Sequence, residues 1–154
     1  MQNEGKLDLT DEEKAYQLYN QALNCEDPAK AKRLLKKSLK LLPDFLDAKI
    51  ALAMFIENPL KCIKELERLE KIEKKRLEDE NYFSDDNISH FYGIVETRPY
   101  IRLLHSIACQ YYDLGSLKKA VELYEYIIYL NHDDNLGCRH HLMALYAQLE
   151  MKKK

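Results

Sequence analysis

Histidine and cysteine are the side chains best suited to hold a zinc ion, and this chain carries two such pairs at helical spacing. His105 and Cys109 lie four residues apart, and Cys138 and His141 lie three apart, so on a helix each pair shares one face. If the two helices touch, the four side chains form the ligand set of a tetrahedral zinc site. The spacing is not that of a known finger, and ordinary packing accounts equally well for a buried cysteine beside an exposed histidine. The expectation is therefore no metal and no cofactor, with a small metal-binding protein using His105, Cys109, Cys138 and His141 as an alternative. Cys25 and Cys62 complete the set of cysteines without any Cys-x-x-Cys pair, and all four read as reduced, buried thiols.

A second concentration of chemistry is charged. Glu96, Arg98, Arg102 and Arg139 suit an anion or carboxylate site, because a guanidinium donates two parallel hydrogen bonds to a carboxylate. The preferred reading is structural: Glu96 pairs with one arginine and ties the segment before a helix to the helix that carries Arg139, satisfying polar groups where a turn enters a packed element. Catalytic residues are not expected. The chain has no phosphate loop, nucleophile elbow or His-Glu-x-x-His helix. Its carboxylates fall on helix faces that read as solvated, where nothing tunes a pKa for acid or base work.

Composition limits the partners. With 32% charged residues and a net charge of −2, the surface carries no field to attract nucleic acid or acidic lipid. Tyr111, Tyr112, Tyr124, Tyr126 and Tyr129 therefore read as hairpin core and groove lining rather than a base-stacking platform. The longest apolar runs, such as Ile50 to Ile56, fall far short of the ~20 residues of a membrane helix. The stretch Met1 to Lys6 lacks the pattern of a secretory signal, so the expected location is cytoplasmic. Lys152 to Lys154 read as a frayed tail.

The elements that position these residues are helices. Gly and Pro number only four each among 154 residues, which favours long helices within a single domain. Thr10 with Glu13 marks a capping box before a helix Asp11–Asn24, and Asp27–Pro28 starts a second that runs to about Leu42 and stops at Pro43. Phe45 to about Ile56 forms a third. Asn58–Pro59 opens a fourth, Leu60 to about Glu78, with a winding apolar stripe at Leu60, Ile63, Leu66, Leu69 and Ile72. On its solvated face Glu67 pairs with Lys71 and Glu70 with Lys74. Residues 79–87 read as an exposed acidic loop, Ser89 to Gly93 as a short helical turn, Pro99 to Leu114 as a fifth helix ended by Gly115, Leu117 to Leu130 as a sixth, and Leu136 to Met151 as a seventh capped by Asp133-Asp-Asn.

Short antiparallel hairpins in series are the units of solenoids. From Ile101 the residues Leu104, Ile107, Ala108, Tyr111, Gly115, Leu117, Ala120, Tyr124, Ile127 and Leu130 closely resemble the 34-residue tetratricopeptide pattern, with His132 where that pattern has Pro. Leu18, Tyr19, Ala22, Ala31, Leu35 and Pro43 resemble it in the same register, and Leu52, Ala53 and Ile56 more weakly. This implies an all-α fold, a tetratricopeptide-like right-handed array of antiparallel hairpins, with repeats at about 12–45, 46–79 and 101–134, an insertion at about 79–98 and a closing helix at about 136–151. His90-Phe-Tyr-Gly, Glu96-Thr-Arg-Pro-Tyr-Ile-Arg and Asp134-Asn-Leu-Gly-Cys-Arg also resemble the tetratricopeptide region of the suppressor of tumorigenicity 7 family, whose eukaryotic members carry membrane segments that have no counterpart in this sequence.

The tetratricopeptide resemblance implies a groove lined from the first helix of each hairpin. Its lining positions fall on Tyr16 and Asn20; Asp47, Ile50 and Met54; Arg102, His105, Cys109 and Tyr112; and Arg139. The lysine and asparagine set that clamps a peptide C-terminus in chaperone-binding members is not matched. The expected function is a non-catalytic adaptor or scaffold that binds a peptide or protein partner. The alternatives are the metal-binding reading and a self-associating unit, a homodimer pairing through exposed Leu142, Leu145 and Leu149.

Overall fold

The computed structural model describes residues 8–153; Met1 to Lys6 and the last lysine of the expected tail lie outside them. Among the described residues the chain forms seven helices and no strand: α1 (Asp11–Leu23), α2 (Pro28–Leu41), α3 (Leu46–Ala53), α4 (Pro59–Asp79), α5 (Arg98–Asp113), α6 (Leu117–Leu130) and α7 (Cys138–Lys153). The chain divides after Phe55 into two compact units, and this boundary falls inside the expected repeat at 46–79. No helix among the described residues is long and apolar enough to cross a membrane.

In the first unit the capping box forms as expected. Thr10 Oγ accepts from Glu13 N while the Glu13 carboxylate accepts from Thr10 N at 2.8 Å. Asp27 accepts from Ala29 N, and Pro28 occupies the first turn of α2. Ser38, near the end of α2, donates its hydroxyl to the Ala15 carbonyl near the start of α1 at 2.7 Å. Since the connection joins the opposite ends of the two helices, that bond makes them antiparallel. Ala15, Ala22 and Ala31 line the seam with Leu35, small residues that let the backbones approach. The Tyr16 and Tyr19 rings close against Phe45 at 4.5 and 4.9 Å. α3 stops at Ala53, three residues short of the expected Ile56. The chain must leave helical geometry before the proline that opens α4, where Asn58 caps with its side chain on Lys61 N.

In the second unit, α5 and α6 form a tight hairpin. Gly115, at φ +77°, donates to the Tyr112 carbonyl and Ser116 donates to the Tyr111 carbonyl, the paired bonds of a Schellman stop that only glycine enters without strain. Ala108 and Ala120 are fully buried, with Leu104, Tyr124, Ile127 and Leu130 packed around them. The apolar stripe of α4 is shorter than expected. Ile63, Leu66 and Leu69 are buried but Leu60 and Ile72 are exposed, because a three-residue spacing lags the 3.6-residue turn and drifts off the packed face. The expected pairs of Glu67 with Lys71 and Glu70 with Lys74 do not form. Glu67 accepts the Tyr111 hydroxyl instead and Glu70 the Tyr100 hydroxyl, so this edge of α4 faces α5 rather than bulk water.

Residues 80–97 also depart from expectation. Phe83 packs on Phe91 and Tyr100, with ring centroids 5.1 and 6.0 Å apart, so the acidic stretch carries an aromatic anchor. Ser89 to Gly93 form turns and one antiparallel bridge instead of a helical turn. Phe91 N donates to the Leu130 carbonyl and His132 N to the Ser89 carbonyl. Asn131 reinforces the bridge by accepting from Tyr92 N at 3.2 Å, and buried Thr97 donates its hydroxyl to the Phe91 carbonyl at 2.5 Å. Leu142 and Leu145 of α7 are buried and Leu149 is half-buried, so the surface expected to pair two chains belongs to the core.

Candidate functional site

The end of α6 and the start of α7 are joined by a loop whose centre is Asp134, held at φ +51°. This is a conformation that aspartate tolerates better than most side chains. Its carboxylate caps α7 twice, accepting from Cys138 N at 2.6 Å and from Arg139 N at 3.0 Å, as expected where a negative charge meets a helix N-terminus. Arg139 donates to the His132 carbonyl at 2.8 Å and stands 3.7 Å from Asp134. It therefore ties its own helix to the bridged segment, and it does so without Glu96. Arg98 likewise turns away from Glu96. Its Nε donates to the Tyr92 carbonyl at 2.7 Å and its guanidinium lies 5.2 Å from the centre of the Tyr92 ring, while Glu96 is exposed. The expected tie between Glu96 and an arginine does not form; the two guanidinium groups hold backbone carbonyls instead. Arg102 is half-buried on α5.

This capped start packs α7 on α6 and brings its His141 side chain to His105 of α5. His105, Tyr124 and His141 form a three-ring cluster: Tyr124 stacks on His141 at 5.2 Å, and His105 meets their edges at 5.8 and 5.9 Å. Cys109 Sγ lies 3.7 Å from His105 Nδ1 and 3.4 Å from the Tyr124 hydroxyl. One helical turn beyond, Gln148 donates to the Tyr112 hydroxyl across the α5–α7 seam at 3.4 Å. His105, Cys109, Cys138 and His141 thus gather around Tyr124, as their spacing allowed. Tyr16 and Asn20 are exposed on α1 in the first unit.

The cluster is electrostatically quiet. Burial lowers the His105 pKa, and the neighbouring His141 adds to the effect against an opposing pull from Asp134, so the imidazole stays neutral. Its Nε2 is buried without a hydrogen-bond partner. Burial pushes the Cys138 thiol up to about 12, with the Asp134 carboxylate acting in the same direction. The Tyr124 hydroxyl is raised first by burial and then by its bond to Cys109. A tetrahedral site needs deprotonated sulfur and imidazole nitrogens aimed at one point. Here the tyrosine ring fills the centre, one His141 nitrogen faces the Gly137 carbonyl at 3.2 Å, and Cys138 is held as the neutral thiol. Among the described residues no three such side chains are arranged to hold a metal ion.

What remains is a surface. Tyr112 and His141 are exposed on either side of the α5–α7 seam above His105, Arg139 is exposed at the start of α7, and exposed Tyr146 turns to α6, where its hydroxyl donates to Glu125. Tyr124 and Gln148 were not singled out for this face: Tyr124 reads as hairpin core, and nothing in the local pattern assigns Gln148 a partner on another helix. No protein-family model, curated protein or solved structure matches the chain at a significant level.

Proposed function

We propose that this chain is a non-catalytic, tetratricopeptide-type interaction module, working as an adaptor or scaffold, that presents the α5–α7 face to a peptide or protein segment. The observation that carries this reading is a repeated burial register. Ala15 and Leu104, Ala31 and Ala120, Leu35 and Tyr124, and Ser38 and Ile127 are each 89 residues apart, and every one of them is buried. Two hairpins built to one burial pattern are the kind of unit from which helical-repeat interaction modules are made. The resemblance to the suppressor of tumorigenicity 7 family fits the same reading, and its motif residues His90 to Tyr92 and Thr97 to Arg98 are spent on structure.

Exposed tyrosine and histidine suit peptide contact because they offer large rings at little entropic cost. Panning a displayed peptide library against the protein, then titrating recovered peptides into labelled protein by NMR, tests the reading. Resonances of His105, Tyr112, Arg139 and His141 should move, and Tyr112→Ala with His141→Ala should weaken binding in a chain that still unfolds cooperatively. Peptides that bind elsewhere, or equally well to the double variant, would overturn it. Self-association is a second reading, now through Met143, 69% exposed, and Tyr146 one turn on; a concentration-independent monomer in sedimentation would sink it.

A further inference from the structure

We infer that the groove between α4, α5 and α6 is a docking site for a lysine or arginine side chain carried on a basic segment of a protein partner. It lies on a different side of α5 from the α7 seam, because Leu104, Ile107 and Tyr111 face it whereas His105, Cys109 and Tyr112 do not. The inference therefore stands or falls apart from the α5–α7 reading.

The groove encloses about 360 Å³, with Leu104, Ile107 and Leu123 in its walls and Glu67, Glu70 and Glu122 among its lining residues. That combination matches a side chain with an aliphatic stem and a cationic head, which buries the one and pairs the other. The neighbouring acids of α4 are already paired within their own helix: Glu65 with Arg68, Glu73 and Glu80 with Arg76, and Asp79 with Lys75. Glu67 and Glu70 are different. They accept tyrosine hydroxyls, which fix the carboxylates in place but leave their charge uncompensated. Glu122 is exposed and makes no ion pair among the described residues.

One cation already marks the preference of the groove. Lys119 Nζ lies 5.0 Å from the centre of the Tyr111 ring, so this face of the tyrosine accepts an ammonium group. A single lysine against three carboxylates leaves room in charge as well as in volume for a second cation. The same excess of negative charge repels acidic peptides, nucleic acid and anionic membranes.

The test uses the full chain and a fluorescent, end-blocked nonapeptide of alternating lysine and leucine, with the glutamate-for-lysine peptide as control. The lysine peptide should bind, bind more weakly as salt rises, and move NMR signals at residues 67–70, 111 and 119–126. The control should not bind. Glu67→Gln with Glu122→Gln should weaken binding about tenfold, and Glu122→Gln alone, at an exposed position that cannot affect folding, about threefold. Unchanged affinity in that single variant, or signals confined to the α5–α7 face, would overturn the assignment. So would a dimer that dissociates when Lys152 to Lys154 are removed, since a second copy's tail would then be the occupant.

Discussion

The Tyr100 hydroxyl donates to Glu70 across 2.7 Å, so a wholly buried ring of α5 ends on a carboxylate of α4. Together with the bond from the Tyr111 hydroxyl to Glu67, it links α4 and α5 through polar groups. The aromatic body of Tyr100 packs on Phe83 and Phe91, and its polar end keeps the α4 carboxylate turned towards α5. Tyr100→Phe retains the packing and removes only the hydroxyl, which also meets Tyr126. It should lower stability in urea unfolding by about 1–3 kcal/mol, whereas Glu70→Gln, which keeps an acceptor, should cost less.

The tyrosines also set an alkaline limit. Burial and the bond to Glu70 raise the Tyr100 pKa, burial and the bond to Glu67 push Tyr111 up to about 12, and burial raises Tyr124, all from an ordinary value of 10.0. A raised folded-state value means that the folded chain holds protons which the unfolded chain releases. The stability this represents is whole below pH 10 and is lost as pH rises through the folded values. Melting temperatures measured from pH 7 to pH 12 should begin to fall at about pH 9, where the raised Cys62 and Cys138 thiols start to count, and fall faster above about 10, the faster part being reduced in Tyr111→Phe. A decline that begins near neutrality would contradict the assignment.

Much of this fold is legible in the sequence because its signals are local. The capping box at Thr10, the Asp27–Pro28 and Asn58–Pro59 starts and the Gly115 stop each act within a few residues, and α1, α2, α4, α5 and α6 lie within a residue or so of where those signals place them. What was not legible is long-range. The bridge joining His90 to Asn131 spans residues with no common pattern, and nothing in the α4 charges shows that Glu67 and Glu70 face tyrosines instead of lysines one turn away. The candidate site divides in the same way. Helical spacing brings His105 and Cys109 onto one face and Cys138 and His141 onto another, but the ring between them comes from Tyr124, which is fixed by hairpin packing. Arg98 and Arg139 donate to the backbone carbonyls of Tyr92 and His132, partners which residue types do not announce.

The first turn of α7 is fixed chiefly by Asp134. Asp134 caps two amides and sits at φ +51°, so Asp134→Gly removes the cap but suits the backbone, whereas Asp134→Ala loses both. The glycine variant should cost about 1 kcal/mol and the alanine variant about 1–2 kcal/mol more. Both should increase amide exchange in the first turn of α7 before the α5–α6 hairpin is affected. Equal losses in the two variants would mean that the backbone conformation carries no strain.

Cysteine reactivity tests the interior of the candidate site. The thiolate is the reactive form, and burial opposes it. Cys62 and Cys138 are buried and raised, Cys138 to about 12, while Cys25 and Cys109 are half-buried. Iodoacetamide at pH 8 should therefore modify Cys25 first, Cys109 more slowly because its sulfur is engaged by His105 and Tyr124, and Cys62 and Cys138 only as the chain opens; mass spectrometry of timed digests gives the order. One equivalent of zinc should leave that order unchanged, since Cys138 would have to surrender a proton held by burial and by the Asp134 charge before it could bind. Joint protection of Cys109 and Cys138 by zinc would instead show that Tyr124 can move aside, and would restore the four-ligand site that the spacing of His105, Cys109, Cys138 and His141 first suggests.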